Sequence, residues 1–161
     1  MKNKTLQLTR GALIAALYVL FTFLSSLFGL DKGVIQLRLS EALCLLPIFL
    51  PEAVPGLYIG CMIANLVTGA LLPDVIFGSI ATLLGAIGAR LLRHLSAKYV
   101  WIATLPTIFS NALIVPFVLK YVYGAGELIP FMMLTVGIGE ILAAGVLGTA
   151  LYFSIKKANI L

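Results

Sequence analysis

Apolar residues run along this chain in long blocks, separated by short clusters of charge, proline and glycine rather than alternating with polar positions. Six such blocks can be marked off, at about Leu8 to Leu30, Leu39 to Leu50, Ala53 to Leu72, Val75 to Leu92, Tyr99 to Tyr123 and Leu128 to Ile155. Each reads as a helix, and five approach the length of about 20 residues that a hydrocarbon core demands. The exception is "LSEALCLLPIFL", which at about 1.5 Å per residue falls short of a crossing and is expected to tilt, to sit in thinned bilayer or to break at Pro47. The first block follows a basic flank, as in a signal peptide, but it is span-length and no A-x-A site follows it, so it is expected to stay as the first span.

Composition sharpens this pattern. With 161 residues, 61% of them hydrophobic and only 11% charged, the chain is far more apolar than a water-soluble domain. Its mean hydropathy of +1.13 agrees. The fold class expected is an all-α integral membrane protein, a compact bundle of six transmembrane helices forming one domain over residues 1–161.

The net charge of +5 serves orientation. With the N-terminus in the cytoplasm, Lys2, Lys4, Arg10, Arg90, Arg93, Lys98, Lys156 and Lys157 lie inside, against Lys32, Arg38 and Lys120 outside, as the positive-inside rule requires. Both termini are then cytoplasmic. No basic run with interleaved aromatics points to nucleic acid.

The acids distribute in the opposite sense. Asp31, Glu41, Asp74 and Glu127 fall in or near the outer half, Glu140 at mid-depth, and Glu52 in the cytoplasmic turn "LPEAVP". Asp31 and Glu127 read as solvated loop residues. Glu41 stands three residues after Arg38, so the two share a helical face and either pair with each other or both serve a site. Asp74 follows Pro73 at the head of a block and is read as either an N-cap or a ligand contact.

Glu140 is the most informative residue, because a carboxylate deep in a membrane is costly and needs a reason. On an ideal helix Gly137, Glu140, Ala144 and Gly148 lie within about 80°, a small-residue face that lets a helix or a ligand approach. Its carboxylate either bonds a polar group on another helix or binds a substrate or ion. Thr104, Thr107 and Asn111, together with Asn65 and Thr68, outline the rest of a polar interior. Gly11, Ala12, Ala15 and Ala16 form small-xxx-small pairs on the first helix, fit for internal packing or for docking another subunit.

Other chemistry is thin. Cys44 and Cys61 are expected to be small buried hydrophobes, and His94 a solvated or headgroup-facing residue. No zinc cluster, catalytic dyad or G-x-x-x-x-G-K-[ST] loop is present, so any ATP-driven step needs a partner. An ion-coupled carrier, an intramembrane enzyme and a structural membrane subunit are the alternatives from other classes.

The order "IQLRLSEALCLLPIFLPEAVPGLYIGCMIANLVTGALLPDVIFGSIATLLGA", followed by "GIGE", resembles the QueT family of queuosine-precursor transporters, substrate-binding S components of energy-coupling factor (ECF) transporters. The combination of R-x-S-E, G-x-x-x-G-C running to Asn65, D-x-x-x-G from Asp74 and a late G-E carries the resemblance. It implies a six-helix S-component bundle and an outward pocket covered by the loop after the first helix. It also implies a transmembrane T component docking on the first helix, here at Ala12 and Ala16, and two cytoplasmic ABC-type ATPases that use the ATP. The implied ligand is preQ1, 7-aminomethyl-7-deazaguanine, or a close deazapurine, with another cationic vitamin as the alternative. Its ammonium and N–H edge suit Glu41, Asp74 and Glu140, its ring carbonyl suits Asn111 and Asn65, and Arg38 is counted with them as a substrate-binding residue unless it pairs with Glu41.

Overall fold

The computed structural model describes residues 2–30 and 35–159, so Asp31 and Lys32 lie outside the described residues. Those residues form six helices: α1 (Lys2–Leu27), α2 (Leu39–Phe49), α3 (Ala53–Val67), α4 (Leu72–Leu91), α5 (Ala97–Tyr121) and α6 (Ile129–Ala158). Only α1, α4, α5 and α6 are long and apolar enough to cross a membrane.

The two short helices depart from simple expectation in different ways. The α3 helix stops at Val67 rather than near Leu72, because Gly69 adopts φ 79° and Pro73 opens the next helix. The α2 segment is a 3-10 helix over Leu39–Leu45 and an α-turn over Leu46–Phe49, with Pro47 at the junction. The 3-10 rise of about 2.0 Å per residue stretches it to roughly 20 Å, longer than an α-helix of equal length. Its far end is held by Arg90, whose Nη1 donates to the carbonyls of Pro47 at 3.0 Å and Ile48 at 3.2 Å. Those are the carbonyls that a helix end leaves without partners.

The helices pack as a closed ring in the order α1, α3, α4, α5, α6, α2 and back to α1. Small residues set the spacing. Gly56 lies on the Gly11 carbonyl, where a Cβ would stand 2.7 Å from it, and Gly60 fits against Ala15 and Tyr18. Between α4 and α5, Gly85 admits Thr107 and Gly88 admits Pro106. On α6, Gly139 lies under the Gln36 carbonyl and Gly148 beside Ala42 and Cys44. The small-residue face of α6 thus receives the 36–44 segment.

The α6 helix widens to π geometry over Ile141–Gly148, directly after Glu140, so the ideal 100° step does not hold there. Glu140, Ala144 and Gly148 are nonetheless all buried on the inner side. Gly137 instead turns toward Ala112 of α5.

Candidate functional site

The ring encloses polar side chains in two tiers. The outer tier lies where α3 ends and α4 begins. Here Arg38 Nη1 donates to Asn65 Oδ1 at 3.4 Å, and Asn65 Nδ2 and Asp74 Oδ1 flank the bare Cα of Gly78. Asp74 is no N-cap. Leu71 holds that position and Asp74 sits in the first turn, 7% exposed, accepting the Tyr123 hydroxyl at 2.9 Å. Tyr123 in turn accepts the Leu71 N–H at 3.1 Å, tying the end of α5 to the start of α4. Thr68 stays local, bonded to the Ala64 carbonyl at 2.9 Å.

The inner tier is deeper. Tyr18 of α1, 1% exposed, donates its hydroxyl to Glu41 Oε1 and lies 3.5 Å from Thr82 Oγ1. Glu140, 8% exposed, stands within Coulombic range of Glu41 and Arg38, with Asn111 as its amide neighbour. Arg38 does not take up Glu41 as an ion pair: among the described residues the one salt bridge is Arg10 with Glu52, at 3.5 Å. Three buried carboxylates therefore face a single guanidinium.

Polar atoms without partners concentrate in this tier. Glu140 Oε2, Asn111 Nδ2 and Thr107 Oγ1 are fully buried and make no hydrogen bond. Such orphans are uncommon in native interiors. Thr104, by contrast, bonds the Trp101 carbonyl at 2.7 Å and belongs to the backbone rather than to the site.

The inner tier is closed. Tyr18, Glu41, Cys44, Thr82 and Thr107 border a crevice too narrow for a water molecule, and the Gln36 main chain lies across Gly139. Above it, a cavity of about 190 Å³ opens between Gln36, Glu127, Met132 and Thr135. Cys44 and Cys61 are buried and unpaired by any disulfide, as expected of small hydrophobes. Among the described residues no group of His, Cys, Asp and Glu could hold a metal ion.

All four residues of the α1 small-residue pairs border an apolar groove of about 900 Å³ with Lys4, Pro55 and Ile63. Gly11 and Ala15 also pack against α3, while Ala12 and Ala16 are exposed.

Sequence reasoning missed Tyr18, Thr82 and Tyr123. Tyr18 carried a signal, since it falls three residues beyond Ala15 and shares its inward face. Nothing in the order of residues placed Tyr123 beside Asp74.

Apolar helices ringed around a polar interior define a multi-pass, all-α membrane protein. The family model described as QueT transporter matches residues 8–157, and the chain belongs to that family. A curated relative, "Queuosine precursor transporter QueT" of Lactococcus lactis subsp. cremoris (strain MG1363), is 35% identical over 101 residues. That stretch covers 62% of this chain and 59% of the relative. No solved structure matches the chain.

Proposed function

We propose that this chain is the substrate-binding S component of an ECF transporter importing preQ1 or a close deazapurine, and that the inner tier is its binding site. One observation carries the reading: Glu41 and Glu140 are both buried, neither is in an ion pair among the described residues, and Glu140 Oε2 and the Asn111 amide nitrogen make no hydrogen bond. A ligand combining an ammonium with a guanine edge meets all three needs.

The division of roles follows from the partners. Glu140 accepts and Asn111 donates, so side by side they complement an edge that presents N–H groups next to a carbonyl, as a guanine ring does. Glu41 has one oxygen held by Tyr18, and its carboxylate suits the ammonium as a point charge. Entry requires the 36–44 segment to lift from α6, through the cavity beside Gln36. The Lactococcus relative, named as a queuosine precursor transporter, supports the ligand class.

The partners are a T component seated on the exposed Ala12 and Ala16 face and two ATPases that use ATP in the cytoplasm, with both termini of this chain on that side of a bacterial membrane. Calorimetric titration of the detergent-purified chain tests the site. Tight binding of preQ1, weaker binding of guanine and none of thiamine is the expected result. A folded chain that does not bind preQ1 overturns the substrate.

Uptake that needs ATP and the partner subunits supports the S-component role. The unpaired Glu140 also suits a proton or cation, so uptake in vesicles driven by an ion gradient without ATP would assign the chain to the ion-coupled carriers.

A further inference from the structure

The α1 helix and the start of α2 are joined by three hydrogen bonds in succession. Tyr18 bonds Glu41, Thr22 Oγ1 donates to Ser40 Oγ at 2.9 Å, and the Leu39 N–H donates to Ser25 Oγ at 2.8 Å. Residues 18, 22 and 25 follow helical spacing on one face of α1, and they engage residues 41, 40 and 39 in reverse order. Tyr18, Thr22, Ser25, Ser40 and Glu41 are all at most 4% exposed.

An apolar seam would hold these two segments in a membrane equally well, and it would leave no polar group to satisfy. Here each rung fixes register, and the innermost rung ends on a carboxylate of the candidate site. The backbone of α1 at Tyr18 has little room to move: at Gly60 on α3 an added Cβ would stand 2.8 Å from the Tyr18 Cβ and 3.0 Å from the Ala15 Cα and carbonyl oxygen. The seat of α1 on α3 therefore sets where the Tyr18 hydroxyl stands, and the hydroxyl sets where Glu41 points.

We propose that Tyr18 is a positioning residue that aims Glu41 at the cationic group of the ligand, with the Thr22 and Ser25 bonds keeping register. The proposal rests on the deazaguanine reading above and adds to it a determinant of charge selectivity outside the set of contact residues. Tyr18 touches Glu41 and Thr82, not the ligand.

The test compares two probes in the detergent-purified full chain: preQ1, which carries the aminomethyl cation, and its neutral counterpart 7-cyano-7-deazaguanine. In Tyr18→Phe the ring stays and the hydroxyl is lost. A donor to a charged group is removed, so preQ1 is expected to weaken about tenfold or more while the cyano compound changes by less than about threefold. Glu41→Gln is expected to give the same selective loss, and the double variant no further change in the ratio, because the two residues act as one unit. Gly60→Ala, which forces α1 to shift, is expected to lower the preference for preQ1 over the cyano compound although the Tyr18 hydroxyl is still present.

The neutral probe reports folding in every variant. Unchanged preQ1 affinity in Tyr18→Phe, or equal loss of both probes, overturns the role of Tyr18 while leaving the substrate reading intact. A wild type that binds neither probe overturns both.

Discussion

Glu140→Gln separates a ligand-reading carboxylate from a packing one, because the two roles move stability and binding in different directions. In the ligand-free chain Glu140 is 8% exposed and its Oε2 has no hydrogen-bond partner. An uncompensated carboxylate buried inside the bundle opposes folding, and a neutral amide of the same shape relieves it, by about 1–3 kcal/mol. At this chain length that corresponds to roughly 2–4 °C in melting temperature per kcal/mol.

Binding is expected to fall at the same time. Two charge-assisted hydrogen bonds from the guanine edge are lost or weakened, at about 1.5–3 kcal/mol each, which places the loss of preQ1 affinity at about 10²-fold or more. The assay is thermal unfolding in detergent, followed by calorimetric titration on the same preparation. A variant that melts below wild type and binds preQ1 within about threefold of it would refute the argument and make Glu140 a structural residue.

Further expectations follow from other contacts. Arg90→Met leaves the Pro47 and Ile48 carbonyls without their donor and is expected to cost about 2–4 kcal/mol, read as a lower melting temperature, with Arg90→Lys intermediate. Tyr123→Phe removes the donor to Asp74 and the acceptor for the Leu71 N–H, and is expected to destabilise by about 1–2 kcal/mol in the same measurement. Leucine at Ala12 or Ala16 is expected to abolish co-purification with a T component while leaving preQ1 binding by the isolated chain unchanged. Leucine at Gly11 or Ala15 is expected to lower the melting temperature as well, because those two positions also press against α3.

The sequence carried the architecture well where the signal was local. Blocks of apolar residues placed the six helices, and the isolation of Glu140 and the spacing of Thr107 and Asn111 placed much of the inner tier. The short block at Leu39 was visibly odd, yet its 3-10 geometry was not legible, and its contacts come from distant parts of the chain, Ser25 of α1 at its start and Arg90 of α4 just beyond its end. Asp74 failed as a cap because the helix begins at Leu72, two residues before the aspartate, and its partner Tyr123 lies 49 residues away. Register within α6 beyond Glu140 was equally hidden, because π geometry is set by packing rather than by composition.

The half-buried Lys120 bears on how the bundle grips its membrane. Its Nζ donates to the carbonyls of Ala125 at 3.0 Å, Gly126 at 3.5 Å and Glu127 at 3.1 Å, folding the α5–α6 loop around one ammonium. An ammonium with its donors so engaged competes weakly for lipid phosphate, and Arg38 at the same end is turned inward to Asn65. Arg93, Lys98, Lys156 and Lys157 at the opposite end remain exposed. Among the described residues, the basic side chains free to meet lipid headgroups are therefore concentrated at one pole of the molecule, by a wider margin than a tally of basic residues indicates.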